Sequence, residues 1–122
     1  MDQALNLLGI AKKAGLIAIG GDAVSTAARN GKAALIISAS DSSEGSVRRA
    51  RVNAQTGGAA HIIAPYTQSE IGNITGRGLA GTVAVTDAGL SAQFMKKLAE
   101  TDGRYTEAEN SFLGKGFRNK PI

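Results

Sequence analysis

The stretch LIAIGGDAVSTAARNGKAALIIS, residues 16–38, decides the fold class. Leu16 to Ile19 is a short apolar run of strand length. Gly20-Gly21 breaks it and opens a helix from Asp22 to Asn30, whose apolar side carries Val24, Ala27 and Ala28. Gly31 closes that helix. Ala33 to Ser38 (AALIIS) then reads as a buried strand, short and apolar between polar residues. Such an alternation predicts an α/β protein with its sheet between helices.

The flanks continue the pattern. Upstream, Asp2 to Ala14 reads as a helix ended by Gly15, with Leu7, Ile10, Ala11 and Ala14 spaced as one buried face. Downstream, Asp41 and Glu44 stand at capping-box spacing before a helix that reaches about Thr56 and stops at Gly57-Gly58. His61 to Ala64 is a brief strand ended by Pro65, and His61 reads as structural. Thr67 and Glu70 form a second capping pair, opening a short helix through Ile74. The glycine-rich loop Gly76 to Gly81 enters a β-branched strand, Thr82 to Thr86, and Asp87 caps a last helix to about Glu100. Residues 1–100 are thus expected to form one domain. Residues 101–122, polar with scattered Phe and Tyr, are expected to be a loosely ordered tail.

Composition narrows the function. The chain of 122 residues is 43% apolar but only 4% aromatic, with 16 glycines. That suggests thin elements packed closely, leaving little interior room for an organic cofactor, so none is expected. There is no cysteine, which excludes disulfides, thiolate metal sites and a thiol nucleophile. A single histidine cannot build a histidine-rich metal site. Acid precedes the first apolar run and lysines follow it, unlike a signal peptide. No apolar stretch approaches the roughly 20 residues of a spanning helix, so the cytoplasm is the expected location. Net charge is +4. The excess of bases lies in the N-terminal half (Lys12, Lys13, Arg29, Lys32, Arg48, Arg49 and Arg51), where a polyanion surface is expected.

Two glycine-bearing turns carry the candidate chemistry. Gly20-Gly21, after a strand and before a helix, leave backbone N–H groups open to an anion at the positive end of the helix dipole. Asp22, Thr26 and Arg29 follow at i, i+4 and i+7 and share one exposed face, which could offer an acceptor to a base edge and a cation to a phosphate. The same residues also fit a plain turn, a helix-dipole acid and a solvated arginine. Residues 76–81 (GRGLAG) match G-x-G-x-x-G in letters, but the dinucleotide motif must follow a strand and open a helix. Here the loop follows a helix and enters a strand. It reads either as a loop that lets RNA approach, with Arg77 as cation and Leu79 as apolar contact, or as a plain connection. Arg48, Arg49 and Arg51 spread around a helix and read as a solvated face. Lys115, Arg118 and Lys120 would add salt-sensitive phosphate attraction. The acids sit at helix starts, where capping explains them, and no enzymatic constellation is present.

LLGIAKKAGLIAIGGDAV, RNGKAALIISASDSS, YTQSEIGNITGRG and TVAVTDAGLSAQFMKKL, taken in order, resemble the YlxQ-like bacterial branch of the kink-turn-binding ribosomal protein superfamily. The resemblance covers about Ala4 to Leu98. It implies a three-layer α/β/α sandwich around a small mixed four-stranded sheet. It also implies two neighbouring RNA-gripping regions. One, at the start of the second helix, falls on Gly20, Gly21, Asp22, Ala23 and Thr26. The other falls on Arg77, Gly78, Leu79, Ala80 and Gly81, which would pack against the protruding nucleotide of a bent RNA. Lys13, Arg29 and Lys32 would border the site and serve the RNA backbone. Asp22, Ala23 and Thr26 stand where the family carries Asn, Glu and Lys, and each lost bidentate base contact costs roughly 1–3 kcal/mol. The resemblance implies a non-enzymatic, monomeric RNA-binding accessory of the ribosome and translation machinery, with structured RNA and ribosomal proteins as partners. A protein-interaction module that keeps the fold without the RNA face is the alternative.

Overall fold

Short apolar runs with a two-residue alternation of side-chain direction build the sheet. The computed structural model describes residues 2–114. Helix α1 (Gln3–Lys13) leads to β1 (Ile17–Ile19), α2 (Gly21–Arg29), β2 (Leu35–Ser38), α3 (Glu44–Gly57) and β3 (Ala60–Ile63). Then come α4 (Gln68–Thr75), β4 (Thr82–Val85), α5 (Ala88–Thr101), a 3₁₀ turn (Gly103–Tyr105) and α6 (Thr106–Gly114). The strand order is β1-β4-β2-β3, with β4 antiparallel to both neighbours and β2 parallel to β3. The mixed four-stranded sheet and its helical layers are those expected.

The two faces of the sheet are built differently. Ile19, Leu35, Ile37, Ile62, Val83 and Val85 pack with Leu8 of α1, Ile71 of α4 and Phe94, Met95 and Leu98 of α5. Ile36 and Ala84 point the other way, onto Val24 and Ala28 of α2 and Ala50 and Ala54 of α3. This second layer is thin because its side chains are mostly alanine. A Cβ at Gly57 would fall 2.5 Å from the carbonyl oxygen of Ala28, so the missing side chain lets α3 lie directly on α2. Buried Ser25 accepts a hydrogen bond from Asn53 at 2.9 Å across the same contact.

Three details depart from the sequence expectation. The buried face of α1 runs through Ala4, Leu8 and Ala11, while Ile10 and Ala14 are exposed. Both stripes are apolar enough. The approach of Ile74 to Gly9, 3.1 Å from where a Cβ would stand, fits the stripe through Leu8. Helix α3 is capped by Ser43, which accepts from the Ser46 N–H at 3.1 Å. Asp41 instead accepts from the Gln68 N–H at 2.9 Å, serving the first turn of α4. The third departure is the stretch expected as a loose tail. Residues 103–114 form the 3₁₀ turn and α6, and Phe112, only 1% exposed, joins the larger core. Tyr105 donates to the Ile63 carbonyl at 2.7 Å and so covers part of the free edge of β3. Two aromatic anchors outweigh the polar average of the segment. Lys115, Arg118 and Lys120 lie outside the described residues.

His61 on β3 lies 2.9 Å from the hydroxyl of Ser38, its Nε2 facing Ser38 Oγ. Burial, and next the nearby charge of Arg51, hold its imidazole below the ordinary histidine value. The folded protein therefore binds this proton less readily than the unfolded chain, and stability falls as pH drops through about 6.5 and below. Urea midpoints taken from pH 7.5 down to pH 5 are expected to decline more steeply in the wild type than in His61→Gln. Parallel declines would show that His61 contributes nothing to acid sensitivity.

Candidate nucleic-acid interface

Sheet direction sets which residues meet. β1, β2 and β3 run the same way and β4 runs against them. The ends of the first three strands and the start of β4 therefore share one end of the sheet. Helices α2, α3 and α4 each begin there, just after those strands, so their positive N-terminal ends gather at that end.

Between the first turns of α2 and α3 lies an open cleft of about 520 Å³. Gly20 forms one lip. Its φ of 95° belongs to glycine, and its N–H donates to the Thr82 carbonyl at 2.9 Å, tying the turn to β4. With no side chain, Gly20 cannot cap the helix, so the first-turn N–H groups of α2 gain no side-chain acceptor from it. Arg49 of α3 reaches over from the other lip. Its guanidinium is 3.1 Å from the Asp22 carboxylate, and one nitrogen lies 2.8 Å from where a Cβ of Gly21 would be. Both partners are exposed, so the ion pair contributes little to stability. Thr82 lines the cleft and is 7% exposed, yet its Oγ1 has no hydrogen-bond partner among the described residues. An unmet buried hydroxyl costs roughly 1–3 kcal/mol.

The glycine-rich loop reaches this cleft by its last residue. Gly81 lines it, and the Gly81 carbonyl accepts from Ala39 N–H at 2.9 Å and from the Ser42 hydroxyl at 2.8 Å. From there the loop lies back along α4: the Ala80 N–H bonds Gln68 and the Arg77 N–H bonds Gly72. Arg77 and Gly78 are exposed, and Leu79 stands out at 69% exposure. Ala80 does not. At 3% exposure its side chain belongs to the core, because the loop must turn inward to enter β4, so only its backbone could serve a ligand.

The α2 residues keep the shared side that their spacing requires. The Thr26 hydroxyl donates to the Asp22 carbonyl at 3.0 Å and accepts from Arg29 at 3.3 Å. Lys13 and Lys32 do not border the cleft. Lys13 ends α1 and lines a separate groove with Ile10, Asn73 and Gly76. Lys32 follows α2 and precedes β2. Both stand where strands begin, at the other end of the sheet. Sequence reasoning read Arg49 as part of a solvated face and passed over Ser46 and Thr82; all three line the cleft. The available signal was positional: α3 follows β2 as α2 follows β1, so their first turns face each other. Arg51 lines a different cleft with His61, so the arginine cluster does divide.

No protein-family model matches the chain, and no curated protein sequence matches it. Among solved structures, a protein of unknown function from Bacillus halodurans is similar, with a TM-score of 0.73 at 23% identity, covering 80% of this chain and 98% of that one. The fold is shared. It is shared also with a 15.5kD RNA binding protein of Giardia lamblia, at a TM-score of 0.63 and 16% identity, over 79% of this chain and 84% of that one. At such identities the likeness is one of fold. Among the described residues no cluster of His, Cys, Asp and Glu could hold a metal ion, and no helix is long and apolar enough to cross a membrane.

Proposed function

We propose that the chain binds structured RNA with a kink-turn-like bend, by shape and a few guanine contacts, as an accessory protein of the ribosome and translation machinery. The observation that carries this reading is the single cleft lined by Gly20, Gly21 and Gly81, where both glycine-bearing segments meet. Gly20 and Gly21 let a backbone approach, and the α2 N-terminus favours its phosphates. Asp22 accepts from guanine N–H groups, and Arg29 supplies a cation on the same side. Leu79 packs against an unstacked nucleotide and Arg77 neutralises its phosphate. Support comes also from the fold shared with the Giardia protein, an RNA binder. The kinked RNA and the link to translation rest on the sequence resemblance. Binding alone, without cofactor or chemical step, is the activity proposed.

Fluorescence anisotropy against a kink-turn duplex and a straight duplex of equal length, in moderate salt, tests it. The kinked RNA is expected to bind more tightly. Arg77→Glu and Arg29→Glu are each expected to weaken it about tenfold, equivalent to roughly 1.4 kcal/mol. Equal affinity for the two duplexes would reduce the interaction to generic charge attraction. The fully exposed Asp22 carboxylate at the cleft mouth favours the alternative, a protein-interaction module. That reading stands if neither RNA binds even at low salt.

A further inference from the structure

We propose that the cleft between α2 and α3 seats one phosphoryl group, gripped by Arg49 and the first-turn N–H groups of α2, with the Thr82 hydroxyl at its floor. Two independent observations lead there. The first is the uncapped α2 N-terminus at Gly20, with an arginine already poised over Gly21. The second is Thr82, a nine-tenths-buried hydroxyl without a partner among the described residues. Thr82 and Ala84 are alternate residues of β4, and Ala84 packs on the α2/α3 layer, so Thr82 faces the same side. The cleft itself is lined by Thr82. A phosphate suits this donor set because it presents acceptor oxygens only to backbone N–H, hydroxyl and guanidinium donors, in the arrangement helix N-termini supply.

The Asp22–Arg49 pair is the built-in competitor. Asp22 repels an incoming anion and holds the guanidinium at 3.1 Å, so a phosphate must draw Arg49 off the carboxylate. Ser43 is committed to capping α3, and Asn53 donates to Ser25, which leaves Ser46 as the further hydroxyl beside the seat. The volume of about 520 Å³ exceeds what a bare phosphate fills and lies in the range of small-ligand sites. The phosphoryl group could therefore come from RNA or from a free phosphorylated molecule. The proposal rests on the RNA reading for the first source only.

The test is amide chemical-shift titration of the full chain with inorganic phosphate, then with adenosine 5′-monophosphate, beside kink-turn binding by the same variants. Saturable shifts at Gly21, Asp22 and Ala23 are expected. Arg49→Gln and Thr82→Val are expected to weaken phosphate about tenfold or more, as loss of a hydrogen bond to a charged group does, and Asp22→Asn to tighten it. Thr82→Val removes an unpartnered hydroxyl at nearly constant shape, and a melting temperature equal to or above that of the wild type would show that its fold is intact. No saturable shift with either ligand, or equal binding by wild type, Arg49→Gln and Thr82→Val, overturns the seat. Kink-turn binding that survives in that case leaves the RNA reading standing. Phosphate binding without any RNA affinity retains the seat, assigns it to a small molecule and removes the RNA reading.

Discussion

Phe112→Ala is expected to cost about 3–5 kcal/mol of folding stability, the usual range for deleting a buried phenylalanine. Phe112 is 1% exposed and joins the cluster that holds Phe94, Met95 and Leu98 of α5. Truncation would empty that position, and the surrounding α5 and α6 backbones can collapse only partly. Small domains are stable by roughly 5–15 kcal/mol, so the loss would consume much of the total. Urea denaturation of the full chain reads it directly. A change below about 1 kcal/mol would show that α6 is not docked as described.

Gly72→Ala sets two effects of opposite sign against each other. Alanine is favoured over glycine within a helix by about 0.8–1.0 kcal/mol, which alone would stabilise α4. A Cβ at position 72, however, would stand 2.5 Å from the Gly78 carbonyl oxygen and 2.6 Å from that of Arg77. These are backbone atoms, which cannot swing aside. Overpacking of this kind costs about 1–3 kcal/mol, so the net change should be destabilising. The loop bearing Arg77 and Leu79 should also be pushed off α4, and the kink-turn affinity proposed above should fall with it. A higher melting temperature together with intact RNA binding would contradict the close approach of loop and helix.

Much of the fold was legible because local signals agreed with tertiary packing. AALIIS became β2, TVAV became β4, and the Thr67–Glu70 capping box and Asp87 cap formed as their spacing implies. Three features were not legible, each for a physical reason. In α1 two apolar stripes overlap at Ala11, so periodicity alone could not choose between them. The Asp41 carboxylate serves a helix distant in sequence, which no spacing rule anticipates. In the last segment, polarity concealed two well-placed aromatic anchors, Tyr105 and Phe112. At the candidate site, the Gly20-Gly21 turn and the glycine-rich loop were visible as breaks in the pattern. Arg49 and Thr82 were not, since only the pairing of β4 with β1 brings Thr82 beside Gly20. Lys13 and Lys32 are near the turn in sequence and far along the sheet in space.

The strand order has a consequence for how the protein is made. The inner strand β4, which joins β1 to the β2–β3 pair, is the last of the four to be synthesised. Until Val85 has left the ribosome, β1 has no strand partner, and only the packing of α2 on α3 and of α1 on α4 links it to the β2–β3 pair. Nascent chains shorter than this should thus stay largely unstructured and sensitive to protease. Ordering should arrive late and in one step, governed by long-range pairing.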